Sequence, residues 1–147
     1  MTQEDRQILL KDLSSRLPYG VRYRRFAWDD KRGEECISAK IYSISPDGYV
    51  RNYHEDESDY IDNVRPYLFP LSSLTEEQRN YISKLLIDTQ NEFSPYGEIN
   101  MKGCDNLFIC SVKQANALIN YCLANHLDIN GLIEKGLAID ATGLNIY

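Results

Sequence analysis

Leucines at 9, 10, 13 and 17 recur at the i, i+3/i+4 spacing of one helix face, and after Pro18 and Gly20 the apolar residues fall instead into rough alternation. A helix repeats every 3.6 residues and a strand every 2, so a change of period marks a change of element. The spacing predicts a helix over 3–17, with Glu4 and Asp5 in its first turn, where they complement the positive end of the helix dipole. Pro18 and Gly20 are expected to stop it.

Alternation then predicts strands at 20–28 (GVRYRRFAW), 35–44 (ECISAKIYSI, with Ile37, Ala39 and Ile41 on one face) and 49–53 (YVRNY), joined by turns at 29–33 and 45–48. In SPDG at 45–48, Pro pre-sets φ, Asp tolerates the turn and Gly accepts positive φ. A further short strand is expected near 59–65, and the two prolines of PYLFPLSS argue that 66–73 is an irregular bridge. Helical spacing returns from Leu74, where Thr75 and Gln78 have the form of a capping box. Ile82, Leu85, Leu86 and Thr89 form the inner face of that helix. Residues 92–107 read as a loop. Ser111 and Gln114 repeat the capping box before a third helix over 112–126.

That third helix places Val112, Ala115, Leu118, Ile119, Cys122 and Leu123 on its expected inner side and Asn116, Asn120 and Tyr121 opposite, with Lys113 its only charged residue. A helix with so few charges is either deeply packed or covered by something. Asp128 is placed to cap a short turn, Gly136 to end it, and Leu132, Ile133, Leu137 and Ile139 are expected to close over Leu118, Ile119, Cys122 and Leu123. The fold class is α+β: an N-terminal helix, a small antiparallel meander with an SH3-like barrel as one form open to it, then two helices and a short closing turn, in one domain over 1–147.

Composition bounds the function. The net charge of −6 opposes general affinity for phosphates or anionic lipid. The charge is uneven, however: 54–65 holds five acids and one Arg, while 19–53 holds seven basic and five acidic residues. No apolar run approaches 18 residues, and MTQEDRQILLKDL lacks the basic start and apolar stretch of a signal peptide. The expectation is a cytoplasmic protein without a membrane segment, whose Cys36, Cys104, Cys110 and Cys122 stay reduced.

Four sets of residues bear on chemistry. Cys104, Cys110, Cys122 and His126 are spaced too loosely for zinc, which prefers tight cysteine pairs, so neither a metal nor a cofactor is expected. Cys110 precedes a helix start, where a thiolate is favoured, and a His is present, but no oxyanion-hole Gly motif or orienting acid can be paired with them. HEDESDYID lacks the Gly and Glu positions of a calcium loop. Arg22, Arg24, Phe26 and Trp28 interleave cations and rings on one strand, as sheets that bind single-stranded nucleic acid do. Asn116, Asn120 and Tyr121 are the candidate protein interface.

The segments LPYGV (17–21), VRPYLFPLSSLTEEQ (64–78) and HLDINGLIEKGLAIDATGLNIY (126–147) resemble a family of small proteins from gut Bacteroidetes, their phages and other mobile elements, to which no activity is attached. The resemblance implies a bacterial or phage cytoplasm. The expected function is a non-enzymatic binding or adaptor protein of a mobile element or phage, with a host protein as partner. The alternative is a nucleic-acid-associated accessory protein using the Arg/aromatic strand.

Overall fold

The structure, a computed structural model, describes residues 1–29, 33–53, 58–87 and 112–147, with side chains described except at 25–29, 33–37, 86 and 87. The turn tip at 30–32, the acidic run 54–57, the loop 92–107, Thr89, Cys104, Cys110 and Ser111 lie outside the described residues. The chain divides into two compact units, one made of 1–73 and 122–147 and the other of 74–121.

The first unit is built on a sheet. Helix α1 (Gln3–Arg16) is capped by Thr2: its hydroxyl accepts from the Asp5 amide at 3.1 Å and its own amide donates to the Asp5 carboxylate at 3.2 Å. Two backbone donors at the helix start are thereby satisfied. After Arg16 the chain tightens into a 3₁₀ turn, Leu17–Tyr19, with Pro18 at its start, and Gly20 closes it in the left-handed region.

Strands β1 (Arg22–Asp29), β2 (Gly33–Ile44), β3 (Tyr49–Asn52) and β4 (Ser58–Tyr60) then run as an antiparallel meander. The expected 45–48 turn is present. Gly48 sits at φ 88°, and a Cβ there would meet the Ile61 side chain at 3.1 Å, so the position suits glycine on two counts. The last expected strand is shorter than its pattern suggested, because after Tyr60 the chain turns through a 3₁₀ segment, Ile61–Asn63.

The bridge expected at 66–73 is corrected by the structure. Residues Arg65–Leu68 form β5, which pairs antiparallel with β1 on the side away from β2. Proline removes a ladder donor. Pro66 is tolerated because its neighbour on the other side, β6 (Ile139–Asp140), begins pairing only at Tyr67. The six strands run in the order β4-β3-β2-β1-β5-β6, all antiparallel except β5 with β6. The mixed α+β class read from the sequence is therefore what the chain adopts, with two strands more than the alternation alone revealed.

One face of the sheet is the core. Leu9 and Leu13 of α1 join Val21, Tyr23, Ala39, Ile41, Val50, Val64 and Leu68 in a single buried cluster, completed by Leu132, Leu137 and Ala138 from the end of the chain. The ending enters as a built-in edge. Phe69 bridges to Leu127, with the Phe69 amide on the His126 carbonyl at 2.9 Å and the Asp128 amide on the Phe69 carbonyl at 2.8 Å. The Asp128 carboxylate accepts from the amides of Leu132 and Ile133, both at 2.8 Å. The turn it caps stops at Gly136, φ 67°, whose amide reaches the Ile133 carbonyl while that of Leu137 reaches Leu132.

The second unit holds α2 (Glu76–Ile87) and most of α3 (Val112–Ala124). The expected box is present at α2: the Thr75 hydroxyl accepts from the Gln78 amide at 3.2 Å and the Gln78 carbonyl oxygen from the Thr75 amide at 2.9 Å. Ile82 and Leu85 are half-buried.

Because Leu132 is fully buried, Leu132→Ala is expected to cost about 2–5 kcal/mol in urea unfolding. Deleting 131–147 should abolish the cooperative melt of the first unit; a deletion protein that keeps its melting temperature would show that the ending is a detachable tail.

Candidate functional site

The sequence-predicted nucleic-acid residues all lie on β1. Tyr23 between them is buried at 1% exposure, so Arg22 and Arg24 belong to the opposite, outer face of the sheet. Arg22 is half-buried, its guanidinium donating to the Ser38 hydroxyl at 2.9 Å and the Ser38 carbonyl at 3.0 Å. Both partners are neutral, so the charge is oriented without being cancelled. Arg24 stands opposite Ser38 and Arg65. Phe26 and Trp28 lie opposite Cys36 and Glu34 on the backbone ladder, and their side chains are outside those described.

The outer face continues where the sequence reading did not look. Lys40 and Tyr42 of β2 point outward, alternating with the buried Ala39 and Ile41. On β3 the alternation leaves Tyr49 and Arg51 outward, with Tyr53 following in the same phase, while Val50 and Asn52 are buried. Tyr42 and Tyr53 are 60% and 59% exposed and pack edge to face at 5.1 Å. Tyr49 and Tyr60 pack likewise at 5.5 Å. Lys40 Nζ lies 5.3 Å from the Tyr53 ring centre, and the Arg6 guanidinium 5.4 Å from that of Tyr60.

Two described carboxylates near this face are paired with other groups. Asp59 points inward and accepts from the Tyr23 hydroxyl at 2.5 Å, and Asp62 accepts from Arg6 Nη2 at 2.7 Å and Nε at 3.0 Å. That guanidinium holds the Asp62 carboxyl below its ordinary range. The signal for the outer face was legible as period 2 in AKIY and YVRNY, whose outward positions are all Lys, Arg or Tyr.

The protein-interface candidates lie on α3. Asn116 and Asn120 are exposed. Tyr121 is half-buried, and its ring stacks on Tyr81 at 4.5 Å and 27°. The expected inner stripe is displaced: Val112 and Ile119 are 78% and 46% exposed, in phase with the two asparagines, whereas Ala115 and Leu118 are half-buried and Cys122 and Leu123 buried. Tyr121 and Gln114, which donates to the Leu85 carbonyl at 3.3 Å, turn the helix about one residue from the phase its aliphatic residues alone suggest. The expectation that Ile119 and Leu118 are buried is thus not met.

A third cluster went unnoticed in the sequence because its members are far apart along the chain. Arg16 and Asp12 are both fully withdrawn from water and joined by two bonds, 2.6 and 3.0 Å. Arg16 also donates to the Leu127 carbonyl at 2.8 Å, and Asn130 donates to Asp12 at 2.7 Å. His126, two residues past the end of α3, lies in the left-handed region, φ 55°, with its ring stacked on Tyr147 at 3.8 Å and 13°. The Tyr147 hydroxyl donates to the Tyr67 carbonyl at 2.7 Å and accepts from the Arg22 amide at 3.3 Å. Burial, above all, pushes that phenol up to about 12. Arg16 Nη1 and His126 Nδ1 are buried without a hydrogen-bond partner among the described residues.

This cluster disfavours an active thiol or metal ligand. Burial raises the Cys122 thiol above its ordinary range, with the Arg16 charge opposing, so the thiolate is penalised. Of the zinc candidates, Cys122 and His126 are both buried, while Cys104 and Cys110 fall outside the described residues. Among the described residues no group of three or more His, Cys, Asp or Glu is placed to hold a metal ion, and no helix is long and apolar enough to cross a membrane.

No protein-family model matches the chain, and neither a curated protein nor a solved structure is similar to it beyond chance.

Two outcomes follow from the buried cluster. Asp12→Leu or Arg16→Met alone should destabilise by about 3–5 kcal/mol, since each strands a buried charge or its partners, while the double variant should cost less than either single one; additive losses in urea melts would contradict a closed pair. For His126, burial first and the Arg16 charge second pull the imidazole from 6.5 down to about 4. The unfolded chain takes up a proton near 6.5 and the folded chain only near 4, so the stability at stake is fully present above pH 6.5 and is lost as the pH falls towards 4. A His126→Gln variant should show a flatter stability profile than the parent across that window, and an equal slope would assign the loss to other groups.

Proposed function

We propose that this chain is a non-enzymatic binding or adaptor protein of a bacterial mobile element or phage, and that its partner is a host protein. The observation that carries the reading is the exposed stripe of α3. Val112, Asn116, Ile119 and Asn120 share one side of the helix, and an exposed helical side with large apolar residues and no charge among those four is costly unless something covers it. Two aliphatic side chains supply area that gains free energy on burial, and two amides supply directional hydrogen bonds at its border. The Tyr81–Tyr121 stack beneath stiffens the two helices against one another, which lowers the ordering cost of binding.

Affinity capture from a Bacteroidetes host, read by mass spectrometry, tests this. The wild type should retain a host protein that Ile119→Glu and Asn120→Arg variants both lose at unchanged melting temperature. Retention by both variants would remove α3 as the contact.

A second reading has its own observation. The outer sheet face sets Lys40 and Arg51 among Tyr42, Tyr49, Tyr53 and Tyr60, and this supports a nucleic-acid-associated role on a wider surface than Arg22, Arg24, Phe26 and Trp28 alone. The overall charge of −6 restricts such binding to that face.

A further inference from the structure

The outer face contains a hollow of about 520 Å³ between β2, β3 and β4. Its floor is a cross-strand row: Ser43 of β2 stands opposite Arg51 of β3, which stands opposite Ser58 of β4. Ser45, Asp47 and Tyr49 add to its wall, with Ile44 as an aliphatic member. The Ser45 hydroxyl already accepts from the Tyr49 amide at 3.1 Å and keeps its own proton to donate. One exposed guanidinium with hydroxyls on both sides is the donor set of a phosphate site, in which Arg supplies charge and a planar fork. Asp47 stands at the turn and can accept from a sugar hydroxyl or a base N–H.

The chain direction of β3 adds the second feature. Tyr49, Arg51 and Tyr53 occupy successive outward positions, so a ring lies about 7 Å to either side of the cation. Aromatic, cation, aromatic is the order in which an extended polynucleotide presents base, phosphate, base. Only a single strand offers unstacked base faces to such rings, because a duplex hides them.

We propose that the hollow at Arg51 binds a backbone phosphate of single-stranded nucleic acid, with Tyr49 and Tyr53 stacking the bases on either side. The proposal rests on the second functional reading and locates its contact. Arg51 and the serines fix the register of the backbone, and the tyrosines add sequence-tolerant affinity. Lys40, already beside Tyr53, supplies a further cation along the strand path. Specificity for sequence is not built into such a surface.

The test is fluorescence anisotropy of the full chain with labelled 12-nucleotide oligo(dT) and oligo(U) between 50 and 200 mM salt. Wild type should bind, more weakly as salt rises. Arg51→Gln should weaken binding and reduce the slope of log K against log salt by about 0.7, one phosphate contact on a single strand. Tyr53→Ala should lower affinity by about tenfold with little change in that slope. All these residues are exposed, so melting temperatures should hold, and Ile119→Glu should leave binding unchanged. Absence of binding by wild type at 50 mM salt sinks the nucleic-acid reading altogether, as would a captured protein that alone depends on Tyr53. Binding whose affinity and slope ignore Arg51→Gln sinks the phosphate site while that reading stands. Equal competition by a duplex overturns the single-strand assignment.

Discussion

A guanidinium taken out of water costs several kcal/mol unless its charge and donors are met, and Arg16 is taken out of water completely. Its environment is what the rest of the first unit is arranged around. Asp12, one helical turn earlier, supplies the countercharge through two bonds. The third contact comes from the Leu127 carbonyl, 111 residues further on, and Asn130 donates to the same Asp12 oxygen that Arg16 Nη2 holds. The last turn of α1 is therefore satisfied only when the end of the chain is in place. The same few residues make the bridge from Phe69 to Leu127 and lead into the parallel pairing of β5 with β6. Apolar closure by Leu132, Leu137 and Ala138 follows from that anchoring. Hydrophobic burial supplies most of the driving force, and the polar cluster decides which segment does the burying.

This explains why some of the fold was readable and some was not. The α1 face, the alternation of β1 to β3, the SPDG turn and the Thr75–Gln78 box depend on residues within about four of one another, and local spacing reveals local structure. Strand β5 depends on partners far along the chain: Arg65 opposite Arg24, Pro66 opposite Tyr23, and Tyr67 opposite Ile139. Its prolines suggested a break because the sequence does not show which side of a strand lacks a partner. The Arg16 cluster was invisible for the same reason. Arg16 in a helix's last turn reads as dipole complement and solvent, and only Leu127 and Asn130 make it core. The aliphatic spacing of α3 points to one phase, but Tyr121 packs on Tyr81 and Gln114 bonds Leu85, which sets another.

Three segments separated along the chain, 17–21, 64–78 and 126–147, also meet in the fold. Leu17 and Val21 from the first, Val64 and Leu68 from the second, and Leu132, Leu137 and Ala138 from the third meet in one apolar cluster. Their meeting closes the core. The surfaces that carry the functional readings, the Tyr and Arg face of β3 and the asparagine stripe of α3, lie outside those segments. Candidate residues on β1 and α3 were legible by type, since cations beside rings and uncharged helices are unusual in any sequence. Their extension onto Tyr42, Tyr49, Arg51 and Tyr53 needed the strand register, which fixes which residues share a face.

If the ending is an anchored part of the core, its amides open only when the whole first unit unfolds. Native-state hydrogen exchange measures this directly at the amides of Leu132, bonded to Asp128, and Ala141, bonded to the Leu68 carbonyl, against the Ile41 amide bonded to Val21 in the meander. The account predicts equal opening free energies at all three and the same dependence on denaturant. Exchange at Leu132 and Ala141 through a low-energy, denaturant-independent opening, with Ile41 still protected, would contradict it.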